Sequence, residues 1–230
     1  MNSLTHKLGY WSAVISAATF IIFTICFIGV FATAPIFTWT NLADYVSYVQ
    51  ANSPFFPLLA RLSMLAFAPT FVVLLNCLHA IAPDDKKILT RLGVQFGLLF
   101  AGLVSLHYFV QVTAVRLSLQ HNQLAGLEQV VQANPLSAIS AINLLGFTLF
   151  LGLASLFVGF AFDGGKWERI LRIAFLLNGL FMLAGGLGYF LQINLLIFFT
   201  LNFGLGGALL VVFIAAARLF RPEGGRDSLA

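Results

Sequence analysis

The sequence predicts an all-α protein, a polytopic membrane helix bundle in which six transmembrane helices form three hairpins. Three observations lead to this fold class. Hydrophobic residues make up 60% of the 230 residues and charged residues only 9%, which is too little charge to cover a soluble domain. Six apolar runs of about 20 residues or more follow one another along the chain. Basic residues flank these runs on alternate sides.

Each apolar run is predicted to be a helix, because hydrocarbon offers no hydrogen-bond partner to an exposed peptide group. The alternation of polar and apolar residues that marks a membrane β-strand is absent from the runs. The length suits a single transmembrane domain over residues 1–230, without a soluble catalytic domain. The predicted spans are 10–34, 58–82, 92–115, 136–162, 170–191 and 195–219.

The basic residues give the predicted bundle an orientation. Ten of the 12 fall on one side, and only Arg61 and Arg116 lie near the other. The positive-inside rule then places both termini in the cytoplasm. We expect a multi-pass protein of the cell membrane, by default a bacterial inner membrane, with membrane lipids as partners. The asymmetry accounts for the net charge of +4, so no nucleic-acid partner is expected. The ten residues are Lys7, Lys86, Lys87, Arg91, Lys166, Arg169, Arg172, Arg218, Arg221 and Arg226.

The two long connections on the outer side resemble each other. Residues 42–52 align without gaps onto residues 124–134, with six of eleven positions identical at an offset of 82. This similarity predicts a repeat of residues 7–82 as residues 91–163, followed by a shortened third hairpin over 169–219. Chance similarity between loops of like composition is the alternative. Apolar residues recur in both segments at helical spacing, which predicts two short amphipathic helices in the outer loops.

The chemical inventory of the spans is sparse. Their cores hold no Asp, Glu or Lys, which argues against a Schiff-base lysine, an aspartyl protease dyad and a buried proton-carrying carboxylate. The sequence motifs of serine hydrolases, zinc proteases and phosphate loops are also absent. We therefore expect no cofactor, no metal site and no catalytic residue, and an enzyme is the less favoured class of function.

Polar residues concentrate in the outer half of the predicted bundle. At a rise of 1.5 Å per residue, three of them lie on one level, roughly 18–22 Å from the inner edge of their spans. Two arginines near the outer mouth suit an anionic group. If the third, fourth and sixth helices meet, these residues form a ligand-binding pocket that opens to the outside. The candidate residues are His107, Asn143 and Asn202 on the common level, Gln111 one turn above His107, and Arg61 and Arg116 at the mouth.

A purely structural role for the same residues is the alternative. A single Asn or His in a membrane helix often bonds a neighbouring helix, and arginines near a span end reach the lipid phosphates. His107 and Arg116 are nine positions apart, which is about 180° on a regular helix. Both can face one pocket only where the helix is distorted.

Glycines concentrate in the fourth to sixth spans and predict close helix contacts there. These faces serve either packing within the chain or contact with a second copy or a complex partner. Three functions follow from the sequence. The first is binding, transport or sensing of a small amphiphilic or anionic molecule, or of a lipid, in the outer pocket. The second is an accessory subunit of a membrane complex. The third is a membrane-embedded enzyme that uses His107 with Arg61 or Arg116.

Overall fold

The computed structural model describes residues 3–221, except for the side chain of Leu201. Within this range six helices are long and apolar enough to cross a membrane, and there is no β-strand. The predicted class, an all-α multi-pass membrane bundle, is confirmed. The helices are α1 (Ser3–Thr33), the short α2 (Leu42–Ala51), α3 (Phe55–Ile81), α4 (Asp84–Gln120), α5 (Ala138–Ala161), α6 (Lys166–Phe190) and α7 (Asn194–Leu219).

The bundle has two distinct ends. We call the end that carries Lys86, Lys87 and Lys166 the basic end, and the opposite end, with the connections 34–54 and 121–137, the loop end. Of the residues that predicted this asymmetry, Arg226 lies outside the described part of the chain. Helix α1 begins at Ser3, seven residues before its predicted span. The reason is that helical backbone hydrogen bonding extends beyond the N-terminal end of the apolar run.

The six long helices form a ring in chain order. Each packs against the next, and the second half of α7 closes the ring on α1. The closure is tight at Gly9, where an added Cβ would lie 2.5 Å from the Phe220 ring. The first half of α7, residues 194–208, packs against α6. The part of α7 nearest the loop end therefore packs mainly against one neighbouring helix, α6.

Phenylalanine side chains fill the middle of the ring. Phe67 and Phe71 of α3, Phe100 of α4 and Phe213 of α7 are fully buried. Phe67 and Phe71 stack on each other, and both meet Phe100 and Phe213 edge to face, with 5.7 Å between the centroids of Phe67 and Phe213 and 5.8 Å between those of Phe71 and Phe100. The centre of the bundle is thus a packed apolar plug.

The glycines of the last three long helices serve contacts within the chain. A Cβ added at Gly179 would lie 2.9 Å from the carbonyl oxygen of Gly152, so α5 and α6 touch backbone to backbone there. An added Cβ at Gly204 of α7 would lie 2.4 Å from the Phe181 side chain of α6. The predicted close packing is present at Gly152, Gly179 and Gly204, whereas Gly207 of α7 is exposed with no heavy atom within 4 Å of an added Cβ.

Asn178 is a fully buried polar residue that the sequence analysis did not single out. Its Oδ1 accepts a hydrogen bond from the Ser155 hydroxyl of α5 at 2.7 Å, and its Nδ2 donates to the Gly204 carbonyl of α7 at 3.0 Å. Gly204 lies in a π-helical segment, Thr200–Ala208, where the regular backbone hydrogen-bond pattern is altered. The Asn178 side chain therefore joins α5, α6 and α7. It also satisfies the Gly204 carbonyl in the π-helical segment of α7.

The two connections at the loop end differ in detail. Helix α2 forms as predicted, and the Asn41 side chain caps its N-terminus by accepting from the Asp44 amide. In the second connection only a single 3-10 turn forms, Leu127–Gln129, because Gly126 precedes it with φ at 74°, outside helical geometry. The repeat of residues 7–82 as 91–163 with a short third hairpin remains a prediction.

Replacing Asn178 by leucine keeps the branched shape and the number of side-chain heavy atoms and removes both hydrogen bonds. We expect Asn178→Leu to lower the free energy of unfolding by about 2 kcal/mol, because the Gly204 carbonyl then stays unsatisfied within the bundle. Denaturant titration in mixed micelles measures this loss. The control is Asn76→Leu, since Asn76 is exposed and bonds only the Val72 carbonyl of its own helix. Equal losses in both variants would contradict the bridging role.

Candidate functional site

A cavity of about 630 Å³ opens at the loop end of the bundle. Its walls come from α1, α3 and α4, and it is bordered by α2 and by Gln132 and Ala133 of the second connection. Most of the lining is apolar, as with Phe23, Phe27 and Val30 on one face of α1. The polar part of the lining includes Arg61, Gln111 and Arg116, three of the six candidate residues.

Helix α4 changes its geometry at the cavity. Residues Gln111–Val115 are π-helical, so their hydrogen bonds follow the i→i+5 pattern. On a regular helix, Gln111 and Arg116 would be about 140° apart, because five residues exceed one turn of 3.6. The π segment brings residues five apart closer to one face, and Tyr108, Gln111 and Arg116 all line the cavity. The helix is distorted between His107 and Arg116, but only Arg116 of these two residues lines the cavity.

Gln111 fastens the second connection to α4. Its side chain is buried, its Nε2 donates to the Val130 carbonyl at 2.6 Å, and its Oε1 accepts from the Gln132 amide at 3.0 Å. The Gln132 side chain in turn accepts a hydrogen bond from Arg61 Nε at 3.3 Å through its Oε1. A chain of hydrogen bonds thus runs from α4 through the connection to the arginine of α3.

The second connection is further fixed by its own polar groups. The buried Ser137 hydroxyl bonds the Val131 and Asn134 carbonyls, and Asn134 Nδ2 donates to the Glu128 carbonyl. The Tyr189 hydroxyl of α6 donates to the Pro135 carbonyl at 2.6 Å. These bonds hold residues 127–137 in place, and Gln132 and Ala133 of this segment line the cavity.

The first connection is held in a different way. The hydrogen bonds of residues 35–53 join positions at most four apart, so none of those described ties this segment to a distant helix. Its attachment is an apolar cluster that joins α2 to the second connection, in which the predicted faces of the two loop segments meet. The buried members of this cluster are Tyr45, Val115, Leu127 and Val131, and Leu42, Val49, Leu124 and Val130 pack against them.

His107 of α4 and Asn143 of α5 are not part of the cavity lining. His107 is buried, and its Nδ1 donates to the Ile139 carbonyl at 3.1 Å. Its Nε2 and the Oδ1 of Asn143 are buried without a hydrogen-bond partner among the described residues. His107 thus forms a contact between α4 and α5, and no described hydrogen bond joins the Asn143 side chain to another helix.

Asn202 is placed away from the other candidates. It is exposed on the surface of α7, where its Nδ2 donates to the Phe198 carbonyl one turn earlier at 2.7 Å. The expectation that the third, fourth and sixth spans meet around one pocket is not met at this level. The reason is that the first half of α7 packs against α6 rather than against α4. Residues predicted at the same depth of the bundle therefore do not contact the same neighbouring helices.

The charge around the cavity is unbalanced. No carboxylate belongs to the lining, and the two ion pairs of residues 3–221, Lys86–Asp163 and Lys87–Asp84, both lie at the basic end. There the hydrogen bond from Lys86 holds the pKa of the Asp163 carboxyl below its usual range. The cations at the loop end have no such acidic partner.

Comparison with known proteins adds no identity to this geometry. No protein-family model matches the chain, and no curated protein and no solved structure matches it either.

Removing the anchor at Gln111 should loosen the second connection. We expect Gln111→Leu to raise the rate of amide hydrogen exchange across residues 127–137 by about tenfold, because two hydrogen bonds to that segment are lost. Hydrogen exchange followed by mass spectrometry measures this. The control is Gln120→Leu, since Gln120 also lines the cavity but makes no described side-chain hydrogen bond. An unchanged exchange rate in Gln111→Leu would show that the connection is held by its apolar contacts instead.

Proposed function

We propose that this multi-pass membrane protein binds a small amphiphilic molecule in the cavity at its loop end. The observation that carries the proposal is the cavity itself, which combines an apolar lining with a few polar groups at one side. Its volume of about 630 Å³ lies within the range of about 300–1,000 Å³ that is typical of small-molecule sites.

Binding and sensing are better supported than conduction. Tyr108 lines the cavity and also belongs to the buried core that contains Phe67 and Phe100. Along α3, Phe67 lies about 9 Å further from the loop end than Arg61, at 1.5 Å per residue. The phenylalanine plug thus lies between the cavity and the basic end, and the ligand enters and leaves on the same side.

The charge distribution supports an orientation for this site. Cations crowd the basic end, and the positive-inside rule assigns that end to the cytoplasm of a cell membrane. The loop end, and with it the cavity, then faces the outside. The ligand would be a molecule that reaches the cell from its surroundings or from the outer leaflet.

The two other functions have less support. A complex subunit was favoured by glycine-rich faces, but Gly152, Gly179 and Gly204 are covered by neighbouring helices of the same chain. An enzyme was favoured by His107 beside the arginines, but His107 is not part of the cavity lining that contains Arg61 and Arg116.

Native mass spectrometry of gently extracted protein tests the proposal. We expect an adduct of defined mass that is lost in Ala60→Phe, because Ala60 lines the cavity and the larger ring occupies it. The matched control is Ala66→Phe on the same helix, where residue 66 is exposed. Should Ala60→Phe fail to fold, Val30→Trp fills the cavity from the half-buried wall of α1. An adduct that survives both cavity-filling variants would refute the site.

The orientation has its own test. We expect a cysteine at Ser53, in a background with Cys26 and Cys77 replaced by alanine, to react with a membrane-impermeant maleimide on intact cells. A cysteine at Asp85 should react only after lysis, because it lies at the basic end. Both positions are exposed, so accessibility within the protein does not separate them. The reverse pattern would place the cavity on the cytoplasmic side.

A further inference from the structure

The two guanidinium groups at the cavity lack anionic partners. Arg116 makes no hydrogen bond and no ion pair among the described residues, and Arg61 makes one hydrogen bond, from Nε to Gln132. The two terminal nitrogens of Arg61 therefore remain available. Since Gln132 is a neutral acceptor, it orients the arginine without neutralising its charge.

Tyr108 adds a third polar group to the cavity lining. Its side chain is 3% exposed, lines the cavity, and has a hydroxyl without a hydrogen-bond partner in the described part of the chain. Among the described residues the Tyr108 hydroxyl is not one of the fully enclosed polar atoms that lack a partner, so it stays accessible and can take a hydrogen-bond partner from the cavity. A ligand oxygen in the cavity would supply it. Tyr108 and Arg116 stand eight positions apart on α4, and the π segment between them lets both line the cavity.

The remaining wall of the cavity is apolar and reaches the surface of the bundle. Phe27 and Phe31 of α1 line the cavity, yet they are 52% and 48% exposed. The same face of α1 therefore borders both the cavity and the surrounding bilayer. An apolar chain can lie along this face while a polar head is held at the arginines.

We infer that the ligand is a single-chain amphiphile with an oxyanion head, a carboxylate or a phosphate monoester, held by Arg61, Arg116 and Tyr108. Guanidinium groups bind both oxyanions with charge-assisted hydrogen bonds, and the tyrosine hydroxyl donates to a third oxygen lone pair. The cavity volume is that of a drug-sized ligand, which accommodates one chain and not the two chains of a phospholipid. This inference rests on the proposed function and specifies its ligand.

Titration of the purified full-length protein in neutral detergent tests the inference, with native mass spectrometry as the readout. The probes are hexadecanoate, hexadecyl phosphate, hexadecanol and inorganic phosphate. We expect both oxyanion amphiphiles to bind at least about tenfold more tightly than hexadecanol, because hydrogen bonds to charged groups are the stronger ones. Inorganic phosphate alone should not bind measurably. The stronger of the two amphiphiles shows whether the head is a carboxylate or a phosphate.

Variants connect the preference to the named residues. Arg116→Gln should weaken oxyanion binding about tenfold and leave hexadecanol unchanged, and it removes no hydrogen bond within the described chain. Arg61→Gln should act in the same direction. Tyr108→Phe should weaken the oxyanions about threefold. The control is Arg91→Gln, an exposed arginine near the basic end, which should change nothing.

The outcomes distinguish the proposed function, an amphiphile site, from the inference that the ligand has an oxyanion head. If hexadecanol binds as tightly as hexadecanoate and Ala60→Phe abolishes both, the amphiphile site stands and the oxyanion head is wrong. If inorganic phosphate binds as tightly as hexadecyl phosphate, the apolar chain is wrong. If no probe distinguishes the wild type from Ala60→Phe, the proposed function itself fails.

Discussion

Polar groups inside a membrane bundle must find their partners within the chain, because hydrocarbon supplies none. This constraint explains the placement of the irregular parts of the structure. The π-helical segment of α7 is supported by the Asn178 amide, and that of α4 lies where the Gln111 side chain bonds the adjoining connection. Two of the three π-helical segments in the described residues thus lie beside a glutamine or asparagine that bonds a backbone group nearby, and the third, Gly146–Leu151 in α5, has no such contact. The shape of the cavity depends on the second of these arrangements.

The cavity is built from unlike walls. One wall includes part of the second connection, whose polar groups bond α4, α5 and α6. Another is the apolar face of α1, which is also exposed on the outer surface of the bundle at Phe27 and Phe31. Between them, Arg61 and Arg116 bring positive charge to a region without carboxylates in its lining. A polar side and an apolar side together favour a ligand that is itself divided into a head and a chain.

Sequence reasoning predicted what depends on composition and on depth. It identified the six spans, the apolar faces of both loop segments and the two arginines at the mouth. It did not predict which helices would be neighbours, because helices that are apolar all round carry no periodic signal of their contacts. Asn202 and His107 therefore share a depth without sharing a site, and Asn178 was missed although it lies in the middle of an apolar run. The π segment was missed because a single extra residue in a turn leaves no mark in the sequence.

The attachment of α2 also has a thermal consequence. Residues 35–53 are joined to the rest of the molecule by apolar burial around Tyr45, Leu127 and Val131, with only local hydrogen bonds. Hydrophobic association weakens on cooling, whereas the second connection is held in addition by hydrogen bonds to α4 and α6, which do not share this dependence. The two borders of the cavity mouth therefore respond differently to temperature. At low temperature the hydrogen bonds of the second connection would keep it in place. The hydrophobic free energy that holds α2 against it would decline.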